Sequence, residues 1–307
     1  MMTSRTEPPA TGAVGGQTMV NYAEELVYTE TRDRLLLEGI VVRPVGVPLM
    51  SVAVVCIHGF PGNFYTPLLV RIGRGFAGRG MTFVSGNTRG HDIGARVLRK
   101  DEQPLHAGSW WELFDESPHD VAAWTDFAAG LGSKGVVLIG YSIGATKVIV
   151  YQAERRDPRV RGVASISGPM RRHLGITPEF VGIAESMMAE GNGHALMPVA
   201  PWNRRYSPPK PGPVSAQTYL SWTRRSLDVF GLDAREPAIA AVGCPLFACY
   251  GTGEPDIGMP DDLEMIRRNA KAAAAIRTAV FEGADHSYAG HEERLIETLA
   301  AWVTSIA

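Results

Sequence analysis

The sequence predicts an α/β fold in which a parallel sheet is covered by helices, and three features of the chain carry that expectation. First, short apolar runs bounded by Gly or Pro alternate with longer stretches whose apolar residues recur at helical spacing. Six such runs read as strands: Val52 to Ile57, Thr82 to Ser85, Gly135 to Ile139, Gly162 to Ile166, Pro245 to Tyr250 and Arg277 to Phe281. Second, Glu25 to Val42 has the pattern of an antiparallel hairpin at one edge, with Arg32 to Arg34 as its turn. Third, the strand rhythm stops between Ser167 and Val242, in a stretch that holds Pro201, Pro208, Pro209, Pro211 and Pro213 and several aromatic residues. A structureless loop of that length is improbable inside a compact domain, so the stretch is expected to form an inserted cap. The resulting organisation is a disordered tail over 1–20, a core made of 21–167 and 242–307, and a cap over 168–241.

Composition narrows the functional classes. The 307 residues are 45% hydrophobic and 20% charged, enough to bury a large core. The 30 basic and 32 acidic residues are scattered and give a net charge of -2, so no basic face is offered to nucleic acid or to acidic lipid. The first twenty residues lack the apolar run of a signal peptide or a membrane span. Cys56 and Cys249 sit inside apolar runs, where buried, reduced thiols are expected, and the spacing of the three cysteines fits no zinc pattern. A reducing, cytoplasmic location and a small-molecule partner are the expectation; the sequence does not indicate an oligomeric state.

One motif carries chemistry. Gly140-Tyr141-Ser142-Ile143-Gly144 has the G-x-S-x-G form of a nucleophile elbow. With 34 glycines in the chain, about 0.2 such matches arise by chance, so context decides. GVVLI precedes the motif as a strand and ATKVIVYQAER follows it with helical spacing. A serine on so sharp a turn is lifted clear of the sheet and placed at a helix N-terminus, where peptide dipoles favour developing negative charge. The turn also demands small flanking residues, as Gly140 and Gly144 are.

Acyl transfer passes through a tetrahedral oxyanion that preorganised N-H donors stabilise. The Ile143 amide is one expected donor. The Phe60 amide is the other, because His58-Gly59-Phe60-Pro61-Gly62 directly follows the run VAVVCI. His58, before a tight glycine turn, is expected to anchor that loop by hydrogen bonding. His286 is the expected general base. It alone among eight histidines combines a late position, a loop after a strand and a following amphipathic helix, Glu292 to Ile306. His91, His106, His119, His173, His194 and His291 lie in polar stretches and are expected at the surface. The carboxylate that orients the base should leave the strand Pro245 to Tyr250, and the following turn offers Glu254 and Asp256. Position relative to the strand end slightly favours Glu254; Asp256 remains the alternative. Asp285 is adjacent to His286 in sequence, so its side chain is expected to diverge from that ring.

Together HGFPG (58–62), GYSIG (140–144), GTGEPD (251–256) and GADHS (283–287) resemble the α/β-hydrolase superfamily, from about Val27 to Trp302. Asn87-Thr88-Arg89-Gly90-His91-Asp92 is similar to the N-x-R-G-H motif of bacterial esterase-like and lipase-like members, with Arg89 and Asp92 expected to brace loops. The resemblance implies the α/β-hydrolase fold, with a mostly parallel eight-stranded sheet flanked by helices and an inserted cap. It also implies hydrolysis through an acyl-serine intermediate, without metal or organic cofactor. The chain departs from the commonest pattern in having Glu at the favoured acid position. Serine at the elbow, where epoxide hydrolases and haloalkane dehalogenases of this fold carry Asp, disfavours those chemistries.

Trp110, Trp111, Trp202, Tyr206 and Trp222 are candidates to line an apolar pocket, which points to an uncharged ester, lactone or thioester with a hydrophobic part. The alternatives are acyl transfer or cyclisation, carbon-carbon bond hydrolysis, and a binding protein that holds a small ligand without turnover.

Overall fold

Apolar β-branched runs form the centre of an eight-stranded sheet. The computed structural model describes residues 20–48, 50–170, 177–197, 214–224 and 228–307. In chain order its elements are β1 (Tyr22–Glu30), β2 (Leu36–Pro44), β3 (Val52–Ile57), α1 (Pro67–Ala77), β4 (Thr82–Gly86), β5 (Ala95–Val97), β6 (Leu105–Ala107), α2 (Ser117–Gly130), β7 (Gly135–Tyr141), α3 (Ile143–Arg155) and β8 (Val160–Ile166). They continue with α4 (Pro178–Ala189), α5 (Ala216–Arg224), β9 (Leu246–Gly251), α6 (Asp262–Asn269), β10 (Ile276–Phe281) and α7 (Glu292–Ile306). The sheet order is β1-β2-β4-β3-β7-β8-β9-β10. β1 and β2 pair antiparallel, β2 meets β4 antiparallel, and the remaining neighbours are parallel.

The sequence reading locates all six predicted strands to within two residues at each end, and the hairpin is β1 and β2. Its turn closes where Thr31 N donates to Leu35 O at 2.9 Å, with Arg34 at φ 71°. The small antiparallel pair β5–β6 was not expected. Each is only three residues long, too short to show an alternating pattern.

β3, β4 and β7 are buried along almost their whole length, which explains their uninterrupted hydrophobicity: helices cover both faces. On one side α1 and α7 pack Leu69, Ile72, Phe76, Leu299, Trp302 and Val303 against Val54, Ile139 and Phe247. On the other, Trp124, Val148 and Ile149 of α2 and α3 pack against Val55, Val84 and Leu138. Trp124 is fully buried there and its Nε1 donates to Asn87 O at 2.7 Å. Gly39 and Gly86, register neighbours on β2 and β4, leave the room it occupies, since a Cβ on Gly86 would fall on the indole.

The segment between β8 and β9 contributes α4 and α5, which pack together; Pro178 opens the first turn of α4 and Thr177 Oγ1 accepts from Phe180 N at 3.4 Å. The expected tail over 1–20, except its last residue, and the prolines 201, 208, 209, 211 and 213 lie outside the described residues. No described helix is long and apolar enough to cross a membrane.

The packing yields a contrast that chemical denaturation can measure. Gly86→Ala, which pushes into Trp124, should cost about 1–3 kcal/mol. Gly130→Ala, where a Cβ meets nothing within 4 Å, should be neutral or stabilising by up to about 1 kcal/mol.

Candidate active site

The turn from β7 into α3 places Ser142 at the C-terminal end of a central strand. Ser142 holds φ 55°, a conformation costly for a residue with a Cβ. It is kept there by Ser142 N donating to Ile166 O on β8 at 2.9 Å and by Ala145 N donating to Ser142 O at 2.9 Å. The small neighbours are required by contact: a Cβ on Gly144 would strike the carbonyl oxygens of Ile57 and His58, and one on Gly140 the backbone of Ala145. Gly59, in the loop after β3, approaches so closely that a Cβ there would lie 2.6 Å from Ser142 Cβ. Phe60 follows Gly59 in the loop after β3, and Ile143 opens α3 directly after the serine.

His286 comes from the loop between β10 and α7. Its Nε2 lies 3.1 Å from Ser142 Oγ and its Nδ1 2.7 Å from Glu254 Oε2. Of the two candidate carboxylates, Glu254 is the one against the imidazole. The reason is the turn after β9, where Ile257 N and Gly258 N both donate to Glu254 O and the chain curls so that Glu254 points inward. Asp256, two residues on, is partly exposed. The Glu254 carboxylate is buried to 1% exposure, and its Oε1 accepts from Ser167 Oγ and Gly251 N, both at 2.6 Å. Tyr288 Oη shares the Ser167 hydroxyl at 2.8 Å. Asp285 turns away, as expected, with Oδ1 accepting from Ser287 N and Ser287 Oγ; the latter bond, first, lowers its pKa.

Ser167, Tyr288 and Tyr141 were not anticipated as members of this group. Ser167 and Tyr288, like Ser142, are non-glycine residues at positive φ, 50° and 54°. Tyr141 donates from its hydroxyl to His286 O at 2.6 Å and lies stacked against the imidazole. Its place beside Ser142 in the G-x-S-x-G motif was the only signal available.

Behind the serine a buried polar chain holds the Phe60 loop. His58 is fully buried; Thr88 N donates to its Nε2 at 3.0 Å, which leaves its Nδ1-H to donate to Gly59 O at 2.8 Å. Thr88 Oγ1 in turn accepts from Lys147 Nζ at 3.0 Å, and Lys147 is ion-paired at 2.7 Å with buried Glu112. His58 thus anchors its loop, as expected. Burial, and then the Lys147 charge, lower its pKa to about 3, so it stays neutral. Arg89 and Asp92 do brace neighbouring loops. The buried Arg89 guanidinium binds Asp120 at 2.8 Å, Asp33 at 2.9 Å and Glu116 at 2.5 Å. Burial opposes its charge, but the carboxylates outweigh burial and raise its pKa. Asp92 accepts from Asn63 Nδ2 at 2.7 Å and pairs with His91.

The aromatic candidates divide. Trp222 of α5 is buried and meets Phe60 edge-on, ring centroids 6.3 Å apart. Trp110 is half-buried, and its carbonyl accepts from Ser215 N and Thr218 Oγ1, tying its loop to α5. Trp111 donates from Nε1 to His194 O at 3.0 Å and packs on His106. Trp202 and Tyr206, and also His173, lie outside the described residues. His106 and His194 are exposed, whereas His91, His119 and His291 are partly buried.

Two broad surface hollows, of about 940 and 820 Å³, lie around Asp157 and Pro158 at the far end of α3. A helix of thirteen residues separates them from Ser142 by about 20 Å, so they are not part of this site. Among the described residues no group of three or more His, Cys, Asp or Glu side chains could hold a metal ion. Cys56 and Cys249 are free and buried, and burial raises both thiols, Cys249 to about 12.

The buried neutral His58 has a consequence for stability. The unfolded chain takes up a proton near the usual value of 6.5, whereas the folded chain resists it down to about 3. The unfolded state therefore binds more protons in that window, and stability falls as pH drops through it, by up to about 1.4 kcal/mol per pH unit. Denaturation free energies at pH 7 and pH 5 should show this slope, and His58→Asn should flatten it.

The family described as the alpha/beta hydrolase family matches residues 54–301. No curated protein sequence matches the chain significantly. Among solved structures, Est1E from Butyrivibrio proteoclasticus with ferulic acid bound is 15% identical, with a TM-score of 0.64 over 91% of this chain and 98% of its own. DcsB in complex with its substrate analogue is 14% identical, TM-score 0.68, over 92% and 99%. The Pyrococcus furiosus esterase Pf2001 is 14% identical, TM-score 0.59, over 98% and 99%. These identities establish a shared fold, and the family match extends it to sequence. On its sheet order, its strand-turn-helix serine and this match over most of its length, the chain belongs to the alpha/beta hydrolase family.

Proposed function

We propose that this protein is a serine hydrolase that cleaves an uncharged ester, lactone or thioester with a hydrophobic part through an acyl-serine intermediate. The observation that carries the reading is the hydrogen-bonded line Glu254–His286–Ser142, at 2.7 and 3.1 Å.

Ser142 Oγ attacks the carbonyl carbon while His286 Nε2 takes its proton. Glu254, held by Ser167 and Gly251 N, fixes the imidazole with its proton on Nδ1 and balances the cation that forms. The Phe60 and Ile143 amides hold the oxyanion, aided by the α3 dipole. The protonated His286 then delivers its proton to the leaving alcohol or thiol. In the second half, water attacks the acyl carbon as His286 takes its proton; the acyl–Oγ bond then breaks, His286 returns that proton to Ser142 Oγ, and the acid is released. The segment between β8 and β9 acts as a cap, with Phe60, Trp222 and Trp110 presenting an apolar surface to the acyl or alcohol part. Uncharged substrates suit it because a charge moved there from water would need a partner.

Treatment with a fluorophosphonate, followed by mapping of the adduct, tests the reading. Labelling at Ser142 that disappears in Ser142→Ala is expected, as is release of free acid from p-nitrophenyl and thioester substrates. Absence of labelling in folded protein would replace the reading with ligand binding without turnover, and an amide, new ester or closed ring in place of free acid would replace it with acyl transfer. Glu254→Gln should lower kcat by about 10²–10⁴-fold, and Asp256→Asn should stay within about threefold of wild type.

A further inference from the structure

We propose that Tyr141, the residue before the elbow serine, is a positioning residue that sets the plane of the His286 imidazole; the inference rests on His286 being the general base.

The two hydrogen bonds of the ring lie in its own plane, Nδ1 to Glu254 and Nε2 to Ser142. Bonds of that kind fix the edges of an imidazole but resist poorly a rotation about the line that joins the two partners. Rotation of that kind keeps both distances but changes the angle at which Nε2 meets the Ser142 Cβ–Oγ bond, and with it the alignment of the proton between them. The side chain is 34% exposed, so core packing does not supply the missing constraint.

Tyr141 supplies a constraint along the direction that is missing. Its ring lies 5.1 Å from the imidazole at an interplanar angle of 24°, a stacked contact on one face. Its hydroxyl donates to the carbonyl oxygen of His286 itself at 2.6 Å. One side chain therefore holds both the ring and the main chain of the same residue, across 145 positions of sequence. The platform is firm: Tyr141 ends β7, which lies between β3 and β8, and it is in register with Ile166. Burial first, and then the nearby Glu254 and Asp285 carboxylates, raise the phenol pKa, so the hydroxyl remains a donor. The charged and titratable groups around the imidazole are Glu254 on Nδ1, Asp285 turned to Ser287, Tyr288 engaged with Ser167, and Tyr141 beneath it. When the imidazolium forms, it forms against the face of the phenol ring, where a cation is attracted.

The experiment compares Tyr141→Phe, which keeps the ring and removes the hydroxyl, with Tyr141→Leu, which removes both, using p-nitrophenyl butyrate and fluorophosphonate labelling of Ser142. Expected are losses in kcat of about tenfold and about 100-fold respectively, with KM within about twofold and the same order in labelling rate. The decisive reading is a double-mutant cycle. In a His286→Ala background Tyr141→Phe should cost nothing further in labelling rate, because the group it positions is gone. Equal costs in both backgrounds, or a Tyr141→Phe protein with wild-type kcat, would overturn the proposal. Should Tyr141→Leu fail to fold, the Phe variant and its cycle still decide. If His286→Ala alone labels at the wild-type rate, the base assignment fails and this inference with it. A slow His286→Ala beside an unaffected Tyr141→Phe overturns only the role of Tyr141.

Discussion

The close approach of two backbones at Ser142 is the constraint on which the rest of this site depends. The loop after β3 meets the serine turn at Gly59 and Gly144, and the end of β7 meets the start of α3 at Gly140, with no space for a Cβ at any of the three. That contact costs conformational freedom at three glycines and a positive φ at Ser142. In exchange the serine hydroxyl, the helix N-terminus and the Phe60 loop come within one small volume. The strain is tolerable because it is over-determined. β7 is paired on both sides, and Ser142 N bonds directly to β8. A serine on an edge strand would relax into an ordinary turn.

The same logic recurs at the acid. Ser142, Ser167 and Tyr288 all hold positive φ and all bear on the Glu254–His286 pair or its target. Ser167 follows β8, Glu254 follows β9 and Tyr288 follows β10, so three consecutive parallel strands each deliver one element of the cluster at the same end of the sheet. A buried carboxylate is costly unless its oxygens are filled, and here one takes Ser167 and Gly251 N while the other takes His286. The longer reach of glutamate is used in that double engagement.

The parts of this arrangement that the sequence revealed are those written in local pattern. β3 and β7 are unbroken apolar runs, and GYSIG between a strand and a helix carries its meaning within the 21 residues from Gly135 to Arg155. His286 is recognisable because its position after a last strand and before a closing helix is a matter of order along the chain. Position along the chain favoured Glu254 over Asp256 only slightly, because the choice depends on how the Glu254 carbonyl curls its turn, which two residues of spacing do not specify. Ser167, Tyr288 and Tyr141 were invisible for a stronger reason: their partners lie 87, 121 and 145 positions away and have no periodicity. The β5–β6 pair and the anchoring of Trp110 and Trp111 against the segment between β8 and β9 likewise exist only once the chain is folded.

The buried charges behind the site follow from what surrounds them. Lys147 lies on α3 five residues after Ser142, and Arg89 on the loop after β4; each is 1% exposed. A buried ion pair gains little net stability over an apolar pair of the same size, because desolvation offsets the attraction. What Lys147 does contribute is direction. An apolar side chain at that position would fill the volume but give Thr88 Oγ1 no donor, and the hydroxyl could then turn from the orientation in which it meets His58 Nε2 at 3.2 Å. Lys147, Thr88, His58 and Gly59 O are linked in sequence from the helix that begins at the serine to the loop that carries Phe60. These bonds tie the start of α3 to the loop that carries Phe60, on the far side of Ser142 from the Glu254–His286 pair.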